Sequence, residues 1–327
     1  MFAKTDIRAR LSQNPYNMEQ NELKIGRYAN VLMDRWFKRT FGWAPARRLM
    51  QLFLQEMIPE RTITKLNFGP QEYVNPIEQG KDIRLDVHCT DASGAHFIVE
   101  MQFAEQKTFY ERALFNSTFV IQEQIQVGST DWALPQIYFI GVVNFALHEG
   151  SDKVLYRYRL KDIESGEDMP IPVEYLFLEV PNCRKAMTSE ASLLDNFCYA
   201  LKNMPEMEER PKELKGEIFD LLFNSAEINK FAPKERSEYI QDMTTERDRA
   251  NQLATAEEKG HAKGLAKGLA EGRAEGRAEG KAEGLAEGEA NAMRKMAVKM
   301  LAAGEKVSRV SEFTGLPLEE VTALQEG

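Results

Sequence analysis

The residues best placed to do chemistry lie between Asp82 and Phe103, in the runs DIRLDVHCT, DASG and AHFIVEMQF. Arg84, Asp86 and His88 alternate with Leu85, Val87 and Cys89. His96, Ile98, Glu100 and Gln102 alternate with Phe97, Val99, Met101 and Phe103. A period of two with one apolar face predicts two paired strands. The connection decides whether the acids meet. A three-residue loop, Ala92-Ser93-Gly94 with Gly94 left-handed, pairs Asp91 with Ala95. It sets Asp86 opposite Glu100, His88 opposite Ile98 and Arg84 opposite Gln102. A two-residue loop puts the carboxylates on opposite faces. Directly opposed side chains sit roughly 5 Å apart, where like charges are destabilising. A divalent cation removes that cost, since Mg²⁺ takes one or two carboxylates. The plain alternative is a surface hairpin with scattered acids.

The elements around this hairpin follow from spacing. A helix is expected from about Tyr28 to Gly42 (YANVLMDRWFKRTFG), and a second over APARRLMQLFLQEMI, with Pro45 near its first turn and Pro59 beyond its end. Thr62–Phe68 reads as a strand. Lys107–Val127 reads as a long helix, on which Tyr110, Arg112 and Gln122 offer polar groups to the carboxylate face. Pro135–Leu147 is nearly continuous apolar sequence, as a strand buried on both faces should be. Val173–Val180 is a further strand, closed by Pro181. Helix, strand, hairpin, helix and buried strand in that order describe an α/β layer with a mixed sheet.

At 327 residues the chain has room for about two domains. It has no apolar run near the ~20 residues of a membrane span, and its N-terminus lacks the apolar core of a secretory signal. Cys89, Cys183 and Cys198, and likewise His88, His96, His148 and His261, show no metal or disulfide spacing, so a reducing cytoplasm is expected. The net charge of −9 is unevenly spread: residues 1–130 carry 16 basic and 15 acidic side chains, leaving 26 and 36 beyond. The N-terminal part is therefore free to attract an anion. Arg35, Lys38, Arg39, Arg47 and Arg48, interleaved with Trp36, Phe41 and Trp43, are candidates to hold a nucleic-acid backbone and stack bases. A solvated helix face over a core stripe is the alternative.

Five blocks, DRWFKRTFG at 34–42, LDV at 85–87, IVEMQ at 98–102, RALFNSTF at 112–119 and IYFIGVVNF at 137–145, together resemble the Rpn family. These recombination-promoting nucleases and transposase-like proteins are a branch of the PD-(D/E)XK nuclease superfamily. The resemblance covers about residues 30–180, with the blocks in order. It implies a restriction-endonuclease-like α/β core with a mixed sheet, followed by an all-α C-terminal region. It also implies a metal-dependent DNA endonuclease tied to recombination or mobile DNA, using Mg²⁺ or Mn²⁺, in the bacterial cytoplasm and at the nucleoid when DNA-bound. By position, Asp86 matches the first metal-binding acid and Glu100 the second, with the Met101 carbonyl as a third ligand. Gln102 stands where the superfamily usually carries Lys, so it can orient a water but adds no charge. Arg84 or Arg112 could replace that charge, and Asp34 could add an acid. The rival is a catalytically weak DNA-binding or protein-interaction member that keeps the nuclease fold, favoured by Gln102 and by the overall acidity.

The expected organisation is a flexible tail at 1–28, a nuclease-like domain at 29–185, a helical region at 186–258, a tetrapeptide array at 259–290 and a helix-turn-helix-like cap at 291–327. In the array, glycine recurs at every fourth position from Gly260 to Gly288. On a helix four residues advance about 40° past a full turn, so the glycines form a winding stripe. Eight glycines cost roughly 8 kcal/mol relative to alanine. The segment is then either a linker or a helix whose stripe packs on a second chain, which makes a homodimer through the C-terminal region the expected assembly. The last helix of the cap carries Glu319, Glu320 and Glu326 and no basic residue, which suits protein contact better than base readout.

Overall fold

The hairpin closes through the three-residue loop. In the computed structural model, which describes residues 25–75, 80–125, 130–184 and 186–326, Asp91 N–H donates to the Ala95 carbonyl at 3.1 Å and Gly94 has φ +82°. That left-handed conformation is the one glycine adopts without penalty. The Asp91 carboxylate accepts from Ser93 N and Ala95 N and pairs with Arg61, locking the turn. Strands β4 (Val87–Thr90) and β5 (His96–Gln102) then pair Val87 with Val99 and His88 with Ile98, the expected register.

The first strand run does not continue to Asp82. A bend at Asp86 separates β4 from β3 (Ile83–Arg84), which pairs with β2 (Glu72–Tyr73) in a sheet of its own. Leu85 N bonds to the Gln71 carbonyl at 2.7 Å, and the Gln71 side chain donates to the Asp86 carbonyl at 2.9 Å. The bend reverses the phase of alternation. Leu85 joins the core on the Ile98 side of the sheet, whereas Val87 and Cys89 face the other core. Arg84 consequently lies opposite Glu72, not Gln102.

The main sheet has the order β1-β4-β5-β6-β8-β7, with β1 Asn67–Phe68, β6 Ile137–Val143, β7 Leu155–Tyr158 and β8 Val173–Glu179. β5, β6 and β8 are parallel and the outer pairings antiparallel. Against one face pack helices α1 (Asp34–Phe41), α2 (Arg47–Met57), α4 (Leu193–Asn203) and α5 (Glu217–Ala226), through Phe37, Phe53, Phe197 and Phe219. Helix α3 (Phe109–Glu123) covers the other face with Phe109, Ala113, Phe119 and Val120. Glycine at 141 permits close packing there, because a Cβ would lie 2.8 Å from both Phe109 and Phe177. Thus α4 and α5, in the stretch set apart as a helical region, share one core with the sheet.

Two expected elements are shorter, for a common reason: their backbone groups bond elsewhere. Tyr28–Met33 is not helical, since Ala29 N donates to the Ala226 carbonyl and Asn30 N to the Tyr239 hydroxyl. Tyr28, at the end of the expected tail, is buried and bridges to Glu227; residues 1–24 lie outside the described residues. The strand over 62–68 survives only at β1, because Gln51 and Gln55 of α2 take the Ile63 backbone groups. The expected helix end at 126–127 falls outside the described residues.

Among the described residues the chain forms two compact units, one ending at residue 244 and one running from residue 245 to 326. Helix α6 runs from Pro233 to Ala302, so the glycine array is helical throughout. Nothing lies within 4 Å of a Cβ added at any of its eight glycines. In the second unit α7 (Val307–Thr314) and α8 (Leu318–Glu326) fold back on the end of α6 around Ala297, Val310 and Val321.

Candidate active site

Glu100 sits on β5 with 0% exposure, and Asp86, at the bend before β4, with 4%. Their neighbourhood is set by an exchange at the end of the hairpin ladder. Asp86 N donates to Glu100 Oε1 at 3.2 Å, and Met101 N donates to Asp86 Oδ2 at 2.7 Å. Each carboxylate thus bonds the backbone of the strand carrying the other.

Each also meets a cation. Lys38 of α1 places Nζ 2.9 Å from Asp86 Oδ1, and Arg112 of α3 places Nη2 2.9 Å from Glu100 Oε2. Burial pushes the Asp86 carboxyl up to about 6, with Lys38 opposing the shift and the Asp34 charge adding to it. Burial, then repulsion from Asp86, pushes Glu100 up to about 7 despite Arg112. Burial depresses the Lys38 ammonium, but Asp86 and Asp34 more than compensate and hold it above its ordinary range. Two buried acids that resist joint ionisation, at the end of a mixed sheet, are an arrangement that calls for positive charge.

The family model described as PD-(D/E)XK nuclease family transposase matches residues 31–256, which take in the sheet, both acids, Lys38 and Arg112. The chain belongs to this family. No curated protein and no solved structure matches it. The family accounts for the α/β core with its mixed sheet, and it makes a nuclease or transposase-like role the coarse functional conclusion. Its match continues past the sheet through α4 and α5 into α6.

Within this PD-(D/E)XK core the other candidates separate into near and far. Gln102 is near: its Oε1 accepts from Arg112 Nη1 at 3.0 Å and its Nε2 donates to the Ala104 carbonyl at 3.1 Å. Arg112 therefore orients both Gln102 and Glu100. Asp34 is mostly exposed and approaches only through Lys38, at 3.0 Å. Arg84 is exposed and pairs with Glu72 at 3.6 Å, so it is not available beside Gln102.

The basic cluster on the first two helices is largely neutralised within the chain. Arg35 pairs with Glu238 and Asp242, Arg39 with Glu235, and Arg48 with Glu217. Arg47 is exposed. Trp36 and Phe41, expected to stack bases, are buried, Trp36 against Phe231 and Tyr239. Lys38 is paired as well, but with Asp34 and Asp86, which brings it beside the two buried acids. It lies four residues after Asp34 on the block DRWFKRTFG, and only the packing of α1 against the hairpin end shows its partner.

A second buried glutamate went unrecognised. Glu179, also 0% exposed, ends β8. Its Oε2 accepts from Leu147 N, His148 N and Asn182 Nδ2 at 3.0, 3.2 and 2.8 Å, and its Oε1 meets His148 Nδ1 at 2.5 Å. No sequence signal links positions 147, 148, 179 and 182. A cavity of about 680 Å³ lies elsewhere, lined by Arg27, Glu208, Glu227 and Arg236, and includes none of the candidate residues.

Among the described residues no group of three or more His, Cys, Asp or Glu side chains gathers as a metal site. The donor set that does exist, two hard carboxylates beside the Met101 backbone, still suits a cation such as Mg²⁺, which keeps most of its water. Among the described residues no helix is long and apolar enough to cross a membrane.

Proposed function

We propose that the chain is a metal-dependent DNA endonuclease acting at Asp86 and Glu100. The observation that carries this is the pair of buried carboxylates, brought to one sheet end and both shifted up by burial. Asp86, Glu100 and the Met101 carbonyl would hold Mg²⁺ or Mn²⁺. When bound, the cation supplies charge to the scissile phosphate and acidity to a water. Lys38 supplies the basic side chain that position 102 lacks: its Nζ, beside Asp86, carries a proton and a charge toward an incoming phosphate oxygen. Gln102, held by Arg112, orients a water without adding charge. Arg112 balances Glu100 and stiffens that side of the site. In keeping with the family's transposase description, the activity would serve recombination or mobile DNA. The helical C-terminal part would assemble the chain as a dimer, which light scattering of the full chain checks.

The test is nicking of supercoiled plasmid with Mg²⁺ or Mn²⁺, comparing the wild type with Asp86→Ala and Glu100→Ala. Wild-type cutting lost in both variants supports the proposal. One observation favours a second reading, a DNA-binding member that has lost catalysis: Gln102 replaces the usual Lys, and in-chain cations already neutralise both acids. That reading expects DNA retardation with no cutting by any of the three proteins.

A further inference from the structure

Beside the carboxylates, the same end of the sheet carries two exposed tyrosines held with unusual care. Tyr158, at the end of β7, is 38% exposed, and Tyr110, in the first turn of α3, is 43% exposed. Their rings meet edge to face at 6.3 Å, and both stand edge-on to Phe177 of β8, at 5.8 and 5.0 Å. Tyr158 Oη lies 2.8 Å from His148 Nε2, and His148 Nδ1 bonds to Glu179. Because Glu179 accepts at Nδ1, that nitrogen carries the proton. Nε2 is then left to accept from the tyrosine hydroxyl. His148 itself lies flat on Tyr156 at 3.7 Å. A surface tyrosine is ordinarily free to change rotamer. This one is anchored through a histidine to a carboxylate with no exposure.

The tyrosines share the sheet face of Glu100. Phe177 pairs with Gly141, which pairs with Glu100, so the two sites are two strands apart, about 10 Å. Helix α3 ties them together: Arg112 reaches Glu100 while Tyr110 reaches Phe177 and Tyr158. The separation is too great for either phenol to act on the phosphate bound at Glu100. It suits a neighbouring nucleotide of the same strand. Lys153 stands over Tyr156, two residues before Tyr158 on β7, at 4.8 Å.

We propose that Tyr110 and Tyr158 form a platform for an unpaired base one or two nucleotides from the scissile phosphate, with His148 and Glu179 as positioning residues that fix Tyr158. The substrate class is therefore single-stranded or locally opened DNA, because a base inside a duplex has no free face to stack on a side chain. This rests on the nuclease reading for its substrate but on different residues.

The test is fluorescence anisotropy with a labelled 12-nucleotide single strand and its duplex, using the full chain carrying Glu100→Gln to prevent cutting. The parent should bind the single strand more tightly than the duplex. Tyr110→Ala and Tyr158→Ala should each weaken single-strand binding by about tenfold or more and leave duplex binding unchanged. Tyr110→Phe, which keeps the ring, should bind within about threefold of the parent. Parent preference for the duplex, alanine variants that bind like the parent, or a Phe variant as weak as the Ala variant would each overturn the platform. The parent measurement needs no variant tyrosine, so a misfolded variant leaves it decisive. If plasmid nicking fails while the single-strand preference depends on the rings, the endonuclease reading falls and the platform stands. If nicking succeeds while the alanine variants bind unchanged, the reverse holds.

Discussion

Two glutamates with no exposure lie on parallel strands of one sheet, and their surroundings differ in kind. Glu179 accepts from two backbone amides, an asparagine and a histidine. Glu100 accepts from one backbone amide and one arginine and faces Asp86. A carboxylate saturated with donors is an anchor. One short of donors and beside a second acid has capacity for another cation. The difference shows that burial alone does not mark a reactive acid; the balance of donors against charge does.

The comparison breaks if the two glutamates respond alike to mutation. Asp86→Ala and Glu100→Ala should lower nicking by more than about 10²-fold, since even indirect partners of a metal site cost 10–100-fold. Thermal melts should show both still folded. Glu179→Ala should do the opposite, costing about 3 kcal/mol in urea unfolding because four donors lose their acceptor. Equal loss of stability in all three would erase the distinction. Lys38→Ala sharpens it on the Asp86 side: nicking should fall about tenfold, and Lys38→Arg should restore more of it than Lys38→Met.

The two acids also set a pH signature. Both have folded-state values raised above those of the unfolded chain, Asp86 to about 6 and Glu100 to about 7. The folded state therefore binds more protons than the unfolded one between about pH 4 and 7. Stability of the cation-free protein should fall as pH rises through that window. Melting temperature against pH checks this, and Asp86→Asn should flatten the curve.

The smallest effect separates the two compact units. Within the exposed glycine array each Gly→Ala change should stabilise α6 by about 1 kcal/mol, because open space surrounds every added Cβ. Circular dichroism and thermal melts read this directly. A glycine stripe packed on a second copy would instead make Gly272→Ala or Gly276→Ala destabilising and concentration-dependent.

The legible parts of the molecule were those that local chemistry fixes. Alternation, Asp91 and Gly94 were enough for the hairpin register, and the five sequence blocks for the core around it. The bend at Asp86 was not legible, since LDV continues the alternation straight through it; only the Gln71 bonds reveal the break. Arg35, Arg39 and Arg48 looked free because their acid partners lie about 170 to 200 residues away. Lys38 looked like one more member of a basic face, and its partner Asp86 is set by helix packing. Strand β7 and the His148–Glu179 bond join short segments whose pairing depends on the crossover between β6 and β8.

The central claim is that Asp86 and Glu100 hold one divalent cation between them. Electron paramagnetic resonance titration of Mn²⁺ into the full chain at pH 8 measures it most directly. One bound ion per chain in the wild type, lost in both Asp86→Asn and Glu100→Gln while Glu179→Gln retains it, is the predicted result. Undiminished Mn²⁺ binding in either of the first two variants would contradict it.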